Sequence, residues 1–238
     1  MSAQKLLVVG AHSADFVWRA AGTIAVTTSA GGSALVLALS YGERGESGNL
    51  WKEPDQTEEN VKRIRHEQAE AAAEAVGADF RCLDLGDYPL RISGAALEQL
   101  MAIFREVTPD VLLTHAEEDP FNPDHPVAHQ VVREARLLST GAGVASAFDR
   151  IPPPDWYVFE PHQPELCGFV PDTFVDITAV YERKLAAMKV MVAQSYLHDY
   201  YADLAARRGN HARRISGNKD VLYAEALQSM TPRVVPAI

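Results

Sequence analysis

Short apolar runs alternate with longer stretches of helical periodicity along most of this chain. The apolar runs Lys5–Val9, Ala34–Ser40 and Val111–Thr114 have the length and composition of buried strands, and Asp15–Ala30 and His125–Leu138 carry a helical pattern. Strands that alternate with helices of ten or more residues indicate βαβ units, whose right-handed crossovers place helices on both faces of the sheet. The sequence therefore predicts an α/β fold, with a Rossmann-like, mainly parallel, doubly wound sheet.

The same patterns predict the remaining elements. Further strands are expected over Phe80–Leu85, Trp156–Phe159 and Phe174–Ile177. Further helices are expected from a cap at Asp55 to Gly77, over Ala95–Val107 and, as one long helix, over Ala179–Arg208. No repeat or long linker interrupts the pattern, so we expect residues 1–238 to form a single domain.

Composition narrows the functional classes. The 22 Lys and Arg against 32 Asp and Glu give a net charge of −10, which argues against a general nucleic-acid binder. The longest apolar runs are too short for a membrane span, and Leu6–Val9 is too short for the core of a signal peptide. Two cysteines, Cys82 and Cys167, suit a reducing cytoplasm. We expect a cytoplasmic protein that acts on a small molecule, and the tyrosine-rich stretch 196–201 hints at a homo-oligomer contact.

Four of the eight histidines follow predicted strands at one edge of the sheet: His12, His115, His125 and His162. In open parallel sheets the ligand site lies at the carboxyl ends of the strands, so this edge is the predicted site. The chain has no Gly-x-Gly-x-x-Gly after the first strand, no Gly-Lys-Ser/Thr P-loop and no Gly-x-Ser-x-Gly elbow. Those absences argue against a dinucleotide, a nucleoside triphosphate and a serine hydrolase.

A metal site fits this edge better. His12 and Asp15 are three residues apart at a strand-to-helix turn, and His125 could join them from another strand end. Two nitrogens and one carboxylate oxygen leave a coordination position open, as in catalytic zinc sites, although the set also suits iron. The alternatives are Asp15 as a helix cap and a pair formed by His125 and His129. We interpret His129 as a solvated residue or a partner that orients a ligand.

The segment 207–214 is the one dense basic run in this acidic chain, and its cations are Arg207, Arg208, Arg213 and Arg214. Two interpretations are open. The arginines could be solvated cations at a helix C-terminus, or they could bind carboxylates or phosphates.

Several motifs together resemble the PIG-L/LmbE-like zinc deacetylase family. They are Ala11-His12-Ser13-Ala14-Asp15 after the first strand, Arg44-Gly45-Glu46 after the second and Asn122-Pro123-Asp124-His125 after the fourth. The resemblance runs over most of the chain, as far as Asp176-Ile177-Thr178 and Lys184. It implies that Zn²⁺, or another divalent metal, is held by His12, Asp15 and His125.

Two positions depart from that family. The general base of the deacetylases is an aspartate where this chain has Ala14, and the histidine that assists the tetrahedral intermediate is replaced by Asn122. Loss of a general base or of an oxyanion partner costs orders of magnitude in rate. The metal ligands are therefore kept while two deacetylation groups are missing.

Longer stretches resemble one branch of the family, which hydrates 4-oxalomesaconate to 4-carboxy-4-hydroxy-2-oxoadipate in gallate breakdown. They are AHSADFVWR at 11–19, YGERGES at 41–47, GDYP at 86–89, FEPHQPE at 159–165 and YAEALQS at 223–229. The resemblance implies a zinc-dependent hydro-lyase acting on an anionic oxo-carboxylate.

Hydration of an electron-poor double bond needs a Lewis acid or a metal-activated water, together with a proton donor. Glu46 and His162 are the acid/base candidates at this edge. Arg44, Asn122 and the arginines of segment 207–214 are the candidates for substrate binding. The alternatives are an N-acyl deacetylase that uses another carboxylate, such as Asp124, as its base, and a non-catalytic metal-binding relative.

Overall fold

The computed structural model describes residues 3–232. Over this range seven strands form one sheet: β1 Lys5–Gly10, β2 Ser33–Ala38, β3 Asp79–Cys82, β4 Val111–Thr114, β5 Asp155–Phe159, β6 Thr173–Asp176 and β7 Ala224–Ser229. The α-helices of the same range are α1 Asp15–Arg19, α2 Ala21–Ser29, α3 Glu58–Val76, α4 Gly94–Val107, α5 Asp124–Thr140, α6 Tyr181–Lys189 and α7 His198–Ser216. Among these helices, none combines the length and the apolar character that crossing a membrane requires.

The strand order is β3-β2-β1-β4-β5-β7-β6. Neighbours among the first five strands of this order pair in parallel, and β7 runs antiparallel to both β5 and β6. The chain winds outward in one direction from β1 to β3 and in the other from β4 onward. The switch point between β1 and β4 is where such sheets open a crevice for ligands.

Strand β1 is buried on both faces, as a central parallel strand should be. Leu6 and Val8 pack into the core that α1, α2, α3, α6 and α7 share with the sheet. Leu7 and Val9 point to the opposite core, which α4 and α5 cover. Helices on both faces confirm the predicted doubly wound, mainly parallel α/β fold.

The predicted helix over 15–30 is wrong as a single element. It is broken at Ala20, whose ψ of 0° with φ of −140° is not helical, and α2 starts anew at the next residue. The Glu225 carboxylate explains the break, because it accepts hydrogen bonds from the backbone N–H groups of Gly22 and Thr23 in the first turn of α2. A side chain from β7 therefore caps this helix.

The predicted helix over 179–208 is also wrong as a single element. It is divided into α6 and α7 by the 3₁₀ segment Val192–Leu197, in which Gln194 departs from helical geometry. The buried Gln194 side chain accepts a hydrogen bond from Arg65 and donates one to Glu46. These contacts hold the Gln194 backbone outside helical geometry.

Two smaller differences concern a cap and a strand. The Thr57 hydroxyl, and not Asp55, caps α3 by accepting the N–H of Asn60. Strand β7 was not predicted, although its backbone joins β5 to β6. Its sequence gives only a short apolar run, and its partners lie tens of residues away along the chain.

Candidate metal centre

The predicted ligands lie at the switch point of the sheet. His12 follows β1, Asp15 opens α1, and His125 stands in the first turn of α5 after β4. The backbone N–H of His12 donates to Asp15 Oδ2 at 2.7 Å, which fixes the turn that carries both side chains. Parallel pairing of β1 with β4 then brings His125 to the same edge.

Four side chains converge there, because ligand atoms of His12, Asp15, Glu46 and His125 all lie within 4.8 Å of one another. His12 Nδ1 is 3.2 Å from Glu46 Oε1, and His125 Nε2 is 3.6 Å from Asp15 Oδ1. Both of these ring nitrogens are buried and have no hydrogen-bond partner among the described residues. Two unpartnered imidazole nitrogens facing carboxylate oxygens fit a divalent metal such as zinc or iron.

Carboxylates behind the two histidines orient the rings. Asp124 Oδ2 is 3.2 Å from His12 Nε2, and Asp119 Oδ2 is 2.8 Å from His125 Nδ1. With a metal bound, the neutral rings would donate from these two nitrogens to the carboxylates, and His12 Nδ1 and His125 Nε2 would face the metal. This arrangement fixes the tautomer and raises the basicity of histidine ligands in metal sites.

Burial and charge keep the cluster anionic. Burial raises the pKa of Asp15, but His115 and Arg19 outweigh that effect and hold it well below its usual range. Burial likewise raises the pKa of Glu46, and His12 reverses the shift and lowers it to about 2. Burial lowers the pKa of His12, whereas Glu46 and Asp124 raise it well above the ordinary value. Ionised carboxylates packed this closely attract a cation.

A second group of carboxylates next to His12 has a structural role. Asp87 accepts the backbone N–H groups of Arg44 and Gly45, and Asp124 accepts those of Tyr88 and Leu90. These contacts anchor the loops after β2 and β3 around the site. The carboxylate oxygens are occupied by N–H donors, so this group is a poor second metal site.

Glu46 lies inside the cluster. Its Oε1 accepts a hydrogen bond from Asn122 Nδ2 at 3.1 Å, and its Oε2 lies 3.4 Å from Gln194 Nε2. The side chain keeps 13% exposure while the His12 side chain has none. The structure thus brings two predicted residues, Glu46 and Asn122, to the predicted ligands.

His162 is not among the side chains whose ligand atoms converge in this cluster. It follows β5, and its ring packs against Tyr200 and Tyr201 with centroids at 4.2 and 5.9 Å. Burial lowers its pKa, and the charge of Arg19 lowers it further. The proton-transfer role predicted for it stays a prediction.

The predicted substrate-binding arginines have partners of their own. Arg44 is bound to Glu58, Arg207 to Asp203 and Arg208 to the buried Glu160. Arg214 bonds Asn210 on the exposed side of α7, and Arg213 lies in the same last turn. The structure does not bring Arg213 or Arg214 to the metal cluster, and substrate contact by any of these arginines stays a prediction.

Two neighbours of the cluster had no predicted role, although His115 is one of the four histidines predicted at this edge. His115 Nε2 lies 2.9 Å from Asp15 Oδ2, and its ring stacks on His125 at 3.9 Å. Burial, followed by the charge of His125, lowers the pKa of His115 to about 3, so the ring is neutral. Arg19 Nη1 donates to Asp15 Oδ1 at 2.5 Å. Its position four residues after Asp15, on the same side of a helix, was the available signal.

This fold and site define a Rossmann-like α/β protein with a candidate metal centre of histidines and carboxylates at the switch point of its sheet. The model of one family, described as PIG-L: GlcNAc-PI de-N-acetylase, matches residues 7–136, which is more than half of the chain. The chain belongs to the PIG-L family, as the sequence motifs predicted.

Two similar proteins come from Pseudomonas putida. A 4-oxalmesaconate hydratase is 46% identical over 231 residues, which cover 96% of this chain and 90% of the relative. The crystal structure of GalB, a 4-carboxy-2-hydroxymuconate hydratase, aligns with a TM-score of 0.96 and 44% identity over 99% of both chains. A more distant relative is a probable N-acetyl-alpha-D-glucosaminyl L-malate deacetylase of Bacillus cereus, 27% identical over 84% of this chain and 88% of its own.

Proposed function

We propose that this protein is a metal-dependent hydratase that adds water to the carbon–carbon double bond of 4-oxalomesaconate, giving 4-carboxy-4-hydroxy-2-oxoadipate in gallate breakdown. The observation that carries the proposal is 46% identity to the P. putida hydratase over nearly the whole chain. 4-Carboxy-2-hydroxymuconate, the substrate in the name of GalB, is the enol form of the same carbon skeleton. Both names therefore support one substrate.

His12, Asp15 and His125 would hold the metal, which we propose to be zinc. The two unpartnered ring nitrogens and the Asp15 carboxylate supply the donor set. A divalent ion there contributes Lewis acidity toward the conjugated oxo acid and its attacking water. Asp119 and Asp124 hold the two imidazole rings in the orientation that this requires.

Glu46 is the proposed base that takes a proton from water. Its carboxylate is ionised, and Asn122 and Gln194 hold its two oxygens in place beside the ligands. The hydroxyl then goes to the carbon that bears the middle carboxylate, and a proton goes to the adjacent carbon of the former double bond. We assign that proton delivery to His162, which would take its proton from solvent, while Glu46 would return to solvent the proton that it removed, so that one water is added overall.

Ala14 supports hydration over deacetylation. It is fully buried at the residue before α1, where an alanine has no proton to transfer. The resemblance to the deacetylases of this family implies that they have an aspartate at this position.

The test follows the conjugated ultraviolet absorbance of 4-oxalomesaconate with the native protein, after chelation, and after zinc is returned. We expect rapid loss of absorbance that stops on chelation and recovers with zinc. His12→Ala protein, loaded under the same conditions, is the matched control and should stay inactive. No loss of absorbance with the zinc-loaded native protein, or appreciable amine release from N-acetylglucosamine conjugates, would contradict the hydratase assignment.

A further inference from the structure

A buried guanidinium stands beside the metal centre. Arg19 is only 8% exposed, and its Nη1 donates to Asp15 Oδ1. The same oxygen faces His125 Nε2 at 3.6 Å. The positive charge of Arg19 therefore touches the edge of the candidate metal site, one carboxylate oxygen away from the ligand nitrogens.

This guanidinium has more donors than partners. An arginine carries five N–H donors, and within residues 3–232 the hydrogen bond to Asp15 is the one that Arg19 makes. Its Nε is buried without any acceptor. The Phe159 ring lies under the guanidinium at 5.9 Å, which favours the cation but accepts no N–H. A buried charged donor without an acceptor is costly to keep, and an incoming anion would satisfy it.

Two other arginines near this edge, Arg208 and Arg44, differ in this respect. Arg208 lies on the carboxylate of Glu160, which accepts from its Nε and Nη2, and Arg44 donates from two nitrogens to Glu58. Their charges are matched by carboxylates that no candidate metal ligand shares. Arg19 instead makes its hydrogen bond to a carboxylate that the candidate metal would share, and its Nε has no acceptor.

We propose that Arg19 binds one carboxylate of the substrate and thereby selects polycarboxylates. The inference rests on the proposed function and names the group that recognises its anionic substrate. Nε and Nη2 of Arg19 make no hydrogen bond within residues 3–232, and together they form a pair of parallel N–H donors that suits the two oxygens of a carboxylate. With the substrate's oxo-acid end at the metal, a second contact at Arg19 would fix the orientation of the double bond.

The experiment measures binding of two ligands that differ by one carboxylate, glutarate and butyrate, to zinc-loaded protein by titration calorimetry. We expect the native protein to prefer glutarate, which can reach both the metal and Arg19, and Arg19→Gln to lose about 10- to 100-fold in affinity for it while its affinity for butyrate changes little. Arg19→Lys, which keeps the charge but not the planar pair of donors, should fall between these two. Turnover of 4-oxalomesaconate by Arg19→Gln should show a raised KM.

Two controls separate binding from folding. Arg105→Gln makes the same change at a buried arginine that bonds only backbone carbonyls, away from the site. It destabilises the chain by removing a buried guanidinium elsewhere, and we expect no change in the preference between the ligands. The zinc content per chain of Arg19→Gln shows whether Asp15 still binds the metal in that variant.

Equal weakening of both ligands, or no Arg19-dependent preference in any variant, overturns the inference. A native protein could show the Arg19-dependent preference and yet fail to convert 4-oxalomesaconate. That result would support the carboxylate site at Arg19 and contradict the proposed reaction.

Discussion

Asp119 joins His125 to the loop after β4, and its carboxylate lies 2.8 Å from the ring nitrogen that faces away from the cluster. Its contribution can be tested apart from the ligands. Asp119→Asn should weaken zinc binding about 10- to 100-fold, because an amide no longer fixes the tautomer or raises the basicity of His125. Competition with a chromophoric chelator measures the affinity.

Glu118→Gln is the matched control, since Glu118 is exposed next to Asp119. Its zinc affinity should equal that of the native protein. An Asp119→Asn protein with unchanged affinity would show that the contact does not support the metal.

Position 14 tests how far the site has moved from deacetylation. Ala14→Asp should give little amine release from an N-acetylglucosamine conjugate, because Asn122 still stands where the deacetylases have a histidine and one restored group of two is not enough. The unmodified protein measured in the same assay is the control. Amine release that rises by orders of magnitude in Ala14→Asp would mean that this single residue separates the two reactions.

At the scale of residues, the sequence predicted those site residues whose position follows directly from the strand that precedes them. His12 and His125 both follow predicted parallel strands, so the sequence could place them at the same edge of the sheet, but only the structure shows that β1 and β4 are neighbours. The partner of His125 could not be predicted, because Asp119 reaches it through the fold of a loop. Likewise, the free donors of Arg19 become visible only when every nearby acceptor is placed.

At the scale of elements, a buried ion pair holds together three segments that are distant in sequence. Lys184 of α6 bonds Glu225 of β7 at 2.5 Å, and Glu225 also accepts the N–H groups at the start of α2. Both side chains are at most 5% exposed. The pair therefore determines where α2 begins, and so where the sequence-predicted long helix is interrupted.

Lys184→Met should lower the free energy of unfolding by about 3–5 kcal/mol, because it leaves the Glu225 carboxylate buried without its cation. Urea unfolding followed by circular dichroism measures the change. Arg63→Met removes one partner of the exposed pair Arg63–Glu67 and should cost about 1 kcal/mol or less. A similar decrease in the free energy of unfolding in both variants would mean that the buried pair contributes no more to stability than the exposed pair.

At the scale of the whole molecule, the metal should stabilise the folded chain. The folded state holds the ligand atoms of His12, Asp15, Glu46 and His125 within 4.8 Å of one another, whereas the unfolded chain does not. Zinc at about 100 times its dissociation constant should therefore add about 2.7 kcal/mol, which corresponds to a rise in Tm of about 5–10 °C.

Thermal melting with zinc, and again after chelation, checks this expectation. His12→Ala should melt at the same temperature under both conditions because it lacks one ligand. A native protein with the same Tm with and without zinc would contradict the proposed metal centre.

The sequence by itself determined the α/β fold, its mainly parallel sheet, the family and the edge at which the histidines gather. These properties follow from local periodicity and from the direction of parallel strands, and both are present in the order of residues. Only the tertiary structure decided that Glu225 starts α2, that Gln194 interrupts the last helical region and that Arg19 lies unsatisfied beside Asp15. Each of these depends on which side chains from distant parts of the chain meet in the interior, where an unpaired donor or charge is costly enough to redirect the backbone.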